Sequence, residues 1–230
     1  MGQMIAAGRF VFVHLHTCGG DLVNEFFRRF VPGSRQIGRH VPRRMAPPAL
    51  SQLPTLGFVR SPWSYYVVWY SLQAARTEPS PLYRIVSDGG RLDFEPTIRN
   101  LLDLGHSGRY LDAVQAALPP RFTGRGLNLP GFALEPIRGS QLGFFTFLYR
   151  HMYDAPGIRH IRRVERLWDE LLDMLFAVGQ PVSAPMRAYV RDAPAPRKIA
   201  YTERYSGALE ALVAERDAEI IARYGYQFGD

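Results

Sequence analysis

The stretch Phe10-Val11-Phe12-Val13-His14-Leu15-His16-Thr17-Cys18-Gly19-Gly20-Asp21-Leu22-Val23-Asn24 decides how the rest of this chain is read. Phe10 to His16 is apolar enough for a buried strand of the parallel type. From Asp21 to Phe30 the apolar residues stand at 22, 23, 26, 27 and 30, which is helical spacing, and Pro32-Gly33 ends the helix. Between strand and helix lies a turn containing Gly19 and Gly20. Such a turn exposes backbone N–H groups at a helix N-terminus, the end that attracts phosphate.

A second segment repeats the pattern: Gly57-Phe58-Val59-Arg60-Ser61-Pro62-Trp63-Ser64-Tyr65-Tyr66-Val67-Val68-Trp69-Tyr70. Thr55 to Arg60 reads as a strand, and Pro62 sits in the first turn of a helix running to about Ala75. Arg60, at the strand end, can hold a phosphate by bidentate hydrogen bonds. Two anion sites at the ends of two strands suggest a ligand with phosphates at both ends.

Together the two segments resemble the sulfotransferase family, whose donor is 3′-phosphoadenosine-5′-phosphosulfate (PAPS). In that family H-x-x-K-T-G-G-T holds the 5′-phosphosulfate and F-V-R-N-P-W-D-x-x-V-S-x-Y holds the 3′-phosphate. The resemblance continues through Leu142 to Met152, through Ile161-Arg162-Arg163-Val164-Glu165-Arg166-Leu167, and through Arg197-Lys198-Ile199-Ala200-Tyr201-Thr202-Glu203-Arg204-Tyr205. It implies one α/β domain over 1–230, a three-layer α/β/α fold around a central parallel sheet, P-loop-like. It implies PAPS as donor, adenosine 3′,5′-bisphosphate as product and no metal. By the same resemblance Thr17, Cys18, Gly19, Gly20 and Asp21 form the 5′-phosphosulfate loop, and Arg60 and Ser61 hold the 3′-phosphate. Arg197 and Lys198 close over the nucleotide, or are a solvated charge pair. The chain departs from the pattern at four places. The family lysine falls on Thr17, the next threonine on Cys18, the last loop threonine or serine on Asp21, and a phosphate-binding serine on Val68.

The expected activity is sulfuryl transfer to a hydroxyl or amine of a sugar or small metabolite. The alternative is a catalytically weak or inactive relative that binds a nucleotide or a partner. Sulfuryl transfer needs charge stabilisation for the leaving phosphate and a base for the acceptor. His40, in the basic loop Arg39-His40-Val41-Pro42-Arg43-Arg44, is the candidate base, and its arginines are expected to lower its pKa. His16, at the loop entrance, is the candidate cation near the leaving oxygen. His14 reads as a buried core residue, and Trp63 and Trp69 as packing.

Composition narrows the field. Net charge is +7, from 28 basic and 21 acidic residues, which favours an anionic ligand. Of the basic residues 27 are arginine and one is Lys198, a bias that a GC-rich genome explains. The arginines are dispersed, which argues against a nucleic-acid partner. The single cysteine excludes an internal disulfide, and no metal-ligand spacing occurs. No long apolar run occurs, so no membrane partner is expected and a bacterial cytoplasmic location is. Further elements are expected at 35–38, 92–104, 110–117, 141–153, 158–164, 167–178 and 206–224. The Gly-, Pro- and Arg-rich stretch 105–140 reads as a long loop around one short helix, with the character of an active-site lid.

Overall fold

The computed structural model describes residues 4–194 and 199–230. The chain divides into two interleaved compact units, one of residues 1–60 and 149–198 and the other of 61–148 and 199–230.

The first unit holds the sheet. Its strands are β1 (Met4–Ala7), β2 (Phe10–Val13), β3 (Arg35–Gly38), β4 (Thr55–Val59) and β5 (Arg159–Arg163), in the order β3-β1-β2-β4-β5. The sheet is mixed, and the expectation of a parallel sheet is corrected on this point. β2, β4 and β5 run parallel, whereas β1 is antiparallel to both β2 and β3. The strand that sequence reading missed is β1. It is four residues long and joined to β2 by Gly8-Arg9, with Ala7 opposite Phe10. All its residues are buried between two neighbours, so it has no alternating pattern to betray it.

The helix α1 (Gly20–Phe30) follows β2 and covers it. Its Phe27 ring lies 5.1 Å from Phe10 and 5.4 Å from Phe12. Phe26 meets Trp168 at 6.1 Å and Tyr189 at 5.8 Å. These two rings belong to helices at Leu167–Ala177 and Ala184–Asp192, so three helices share one aromatic contact on this unit.

The second unit is helical. In chain order the helices after α1 are α2 (Pro62–Ala74), α3 (Pro81–Val86), α4 (Phe94–Leu102), α5 (Leu111–Ala117) and α6 (Phe144–Tyr153), whose residues from Tyr149 onward belong to the first unit. Then come α7 (Leu167–Ala177) and α8 (Ala184–Asp192) of the first unit, and α9 (Gly207–Arg216) and α10 (Ala218–Tyr224) of the second. The stretch 105–140 carries a 3₁₀ turn at Gly131–Ile137 as well as α5. The single helix expected over 206–224 is two, broken at Asp217. No helix among the described residues is long and apolar enough to cross a membrane.

Candidate anion-binding site

The loop opens because β2 stops early. The strand ends at Val13, not at His16. Beyond Val13 the hydroxyl of Tyr153 takes the place of the next β2–β4 pair. It donates to the Phe58 carbonyl at 2.8 Å, accepts from the Phe58 N–H at 3.1 Å, and lies 3.3 Å from the Val13 carbonyl. The chain therefore leaves the sheet at His14 without orphaning the backbone of β4.

Two left-handed residues then turn it into α1: Thr17 at φ 61° and Gly19 at φ 74°. For a β-branched residue such as Thr17 this conformation costs about 1–3 kcal/mol. Its hydroxyl is buried with no hydrogen-bond partner among the described residues. Gly19 caps α1, and a Cβ there would stand 2.8 Å from a Val164 methyl and 3.1 Å from a Leu167 methyl. Gly20 tolerates no side chain, because its Cβ would lie 2.1 Å from the His14 imidazole. The His14 ring is thus wedged beneath the first residue of the helix.

Three histidines converge behind this loop. The His16 and His40 rings stack at 3.8 Å and 13°, and His14 lies 4.8 Å from His40. His40 Nδ1 lies 3.4 Å from the His14 carbonyl oxygen. His40 also has a positive φ of 45°, so the two non-glycine residues of positive φ among the described residues of this unit, Thr17 and His40, belong to one site. Burial holds the His14 pKa down to about 3, helped by the charge His40 acquires on protonation and opposed by Asp21. Burial also holds His40 down to about 4; its contact with the His14 carbonyl opposes this, Arg39 adds to it, and Asp21 opposes it. Both imidazoles are neutral at pH 7.

This corrects the expectation that the arginines of the basic loop together set the His40 pKa. His40 is 7% exposed, and burial lowers its pKa more than Arg39 does. Arg43 faces away and is itself buried. It donates to Thr55 Oγ1 at 2.9 Å and to the carbonyls of Leu50 and Leu53 at 2.9 Å, a clamp on the segment entering β4. Arg44 donates to the His151 carbonyl at 3.0 Å. Of the three arginines only Arg39 bears on the histidines.

Arg60 follows the last residue of β4, beside the loop. Its charge and its backbone N–H both act on the Cys18 thiol, so the two segments singled out in the sequence bear on one another. Cys18 is buried, and burial pushes its thiol up to about 12, with the Arg60 charge opposing, so it stays protonated. At the end of β5, Glu165 also acts on the Cys18 thiol and stands 3.9 Å from the Arg163 guanidinium. A groove of about 490 Å³ between the starts of α7 and the last turns of α8 carries Arg166, Arg187 and Arg191 next to Leu167.

The structure therefore brings together His16, Thr17, Cys18, Gly19, Gly20, Asp21, His40 and Arg60. Ser61 belongs to the other unit, where it is wholly buried and its carbonyl accepts the first turn of α2 from Tyr65. Arg197 and Lys198 lie outside the described residues. Trp63 donates to the Glu210 carbonyl at 3.1 Å and packs on Phe228, the expected packing role. Sequence reasoning put His14 in the core and gave Glu165 no role. The signal for His14 was its two-residue spacing from His16 beside two glycines. No family model, curated protein or solved structure matches the chain.

Proposed function

We propose that the chain is a sulfotransferase-fold protein that binds PAPS or its product, adenosine 3′,5′-bisphosphate. The fold proposed is the three-layer, P-loop-like arrangement, with β1 as an added antiparallel strand. One observation carries the reading: the Gly19-Gly20 loop and Arg60 stand at the carboxyl ends of adjacent parallel strands. Ligands of open α/β sheets bind at that edge. In this reading the N–H groups of the loop and of the start of α1 cradle the 5′-phosphosulfate. The Arg60 guanidinium takes the 3′-phosphate.

The reaction proposed is transfer of the sulfuryl group to a hydroxyl or amine of a sugar or small metabolite. In this reading His40 is the base and His16 the cation of that reaction. At a pKa of about 4 His40 is a weak base as it stands. An anion bound in the loop raises imidazole pKa values by attraction, so donor binding itself improves His40 as a base. The charge lost with lysine at Thr17 is supplied in this reading by arginines at the rim, Arg39 and Arg166.

A second reading, a binding protein without turnover, is favoured by the site's content. Thr17 and a protonated Cys18 bring no charge, and Asp21 brings the wrong one to the first turn of α1.

The test is calorimetric binding of adenosine 3′,5′-bisphosphate against AMP. Selective binding of the bisphosphate is expected. A charged hydrogen bond is worth about 1.5–3 kcal/mol, so Arg60→Ala should weaken that binding at least tenfold. Unchanged affinity in a folded variant would refute the assignment of Arg60. Sulfuryl transfer from PAPS by the wild type would then decide between enzyme and binder.

A further inference from the structure

The second unit carries a groove that the proposed function does not use. It has a volume of about 990 Å³, at the upper end for small-molecule sites. Four arginines line it: Arg76, Arg84, Arg121 and Arg125. All four are exposed, and none forms an ion pair with a described residue. The one acidic residue of the lining is Glu78. Elsewhere on this unit several arginines find acids, as Arg91 does with Asp88, Arg99 with Glu95 and Arg138 with Glu135 and Asp112, while the exposed Arg109 and Arg204 stand singly; only in this groove do four arginines without an acid partner gather. A gathering of uncompensated like charges is unfavourable unless something anionic enters it.

The walls are built rather than loose. Asn128 is buried in a left-handed conformation at φ 49°, and its Oδ1 accepts from the N–H groups of Thr123 and Gly124, both at 2.7 Å. Its own N–H donates to the Arg125 carbonyl at 2.8 Å. One buried side chain thus shapes the loop that presents Arg125. On the facing wall the buried Gln73 accepts from the Ser80 N–H at 2.8 Å, and Ser80 caps α3, which presents Arg84.

We infer that this groove binds an acidic oligosaccharide, one carrying carboxylate or sulfate groups along its length. The arginines come from two segments of the lining, 76–84 and 121–125, two from each, which suits charges spread along a chain rather than one compact anion. The hydroxyls of Thr77, Ser80 and Thr123 alternate with them, and these suit the hydroxyls of a sugar. Single-stranded nucleic acid is disfavoured, because it asks for aromatic platforms. The groove's one aromatic, Phe122, is occupied edge-on by Phe132 at 6.3 Å. The inference stands apart from the nucleotide site and does not depend on it.

The test uses the full chain, with a sulfated heparin-derived hexasaccharide, neutral maltohexaose and a single-stranded DNA oligomer of matching charge. Saturable binding of the sulfated sugar is expected, none of maltohexaose, and DNA binding at least tenfold weaker. The variant Arg121→Gln/Arg125→Gln should raise the sugar's Kd at least tenfold, as should Arg84→Gln on the other wall to a lesser degree. The salt dependence of log Kd should flatten as contacts are removed. Melting temperature and affinity for adenosine 3′,5′-bisphosphate should stay as in the wild type, which separates failure here from failure of the nucleotide reading. DNA binding as tightly as the sugar, or affinity indifferent to these arginines, would overturn the inference.

Discussion

Gly20 shows how one residue fixes the loop. Its missing Cβ leaves room for the His14 ring, which the His40 ring backs on the far side. Gly20→Ala should cost about 1–3 kcal/mol, the usual penalty of overpacking a rigid site. If the ring is the obstacle, His14→Ala combined with Gly20→Ala should recover much of the loss in melting temperature. A double variant as unstable as the sum of the singles would place the strain elsewhere. The glycines at positions 19 and 20 were legible as a turn into a helix. That His14, two positions before His16, props the turn from below was not legible, because it depends on where β2 ends. Tyr153, 140 residues away, decides that.

At the scale of the element, the break between α9 and α10 is the informative feature. The periodicity of 206–224 reads as one helix. Asp217 breaks it by turning its carboxylate into the unit, wholly buried. There it accepts from Thr146 N–H at 2.8 Å, Thr146 Oγ1 at 2.6 Å and Tyr66 OH at 2.7 Å. It lies against Gly143, where a Cβ would stand 2.5 Å from the carboxylate. Removing it orphans three donors, each costing about 1–3 kcal/mol. Asp217→Ala should therefore destabilise by more than about 3 kcal/mol in denaturant unfolding. Asp217→Asn keeps one acceptor oxygen and should lose distinctly less. An alanine variant as stable as the wild type would show the network to be dispensable. A polar residue inside an amphipathic repeat usually marks the solvent face, which is why the sequence concealed this one.

For the whole molecule, acid stability follows from groups buried in neutral form. His14 at about 3, His40 at about 4 and His151 at about 4 all titrate below the ordinary histidine value near 6.5. The unfolded chain binds their protons first. Their contribution is complete above pH 6.5 and is lost as the pH falls toward 4. Asp217 works the other way, since burial raises it to about 6; its contribution is present below pH 4 and lost as the pH rises through 6. Three histidines oppose one carboxylate, so the melting temperature should fall between pH 6.5 and 4.5. His40→Gln should make that fall shallower. A melting temperature that is flat or rising on acidification would show that these histidines take up protons in the folded state.

The sequence by itself determined that strands alternate with helices and where most of them lie. It also placed Gly19-Gly20 and Arg60 at the ends of two strands, which the structure pairs in parallel as β2 and β4. These are local properties, written in hydrophobic period, turn residues and charge. Only the tertiary structure decided that β1 inserts antiparallel between β3 and β2. It alone decided that His40 stacks on His16 rather than facing water, and that Arg43 and Arg44 are structural clamps. Each of these is a contact between residues far apart in the chain. Burial sets their chemistry, and burial is a property of the packed chain that no window of sequence contains.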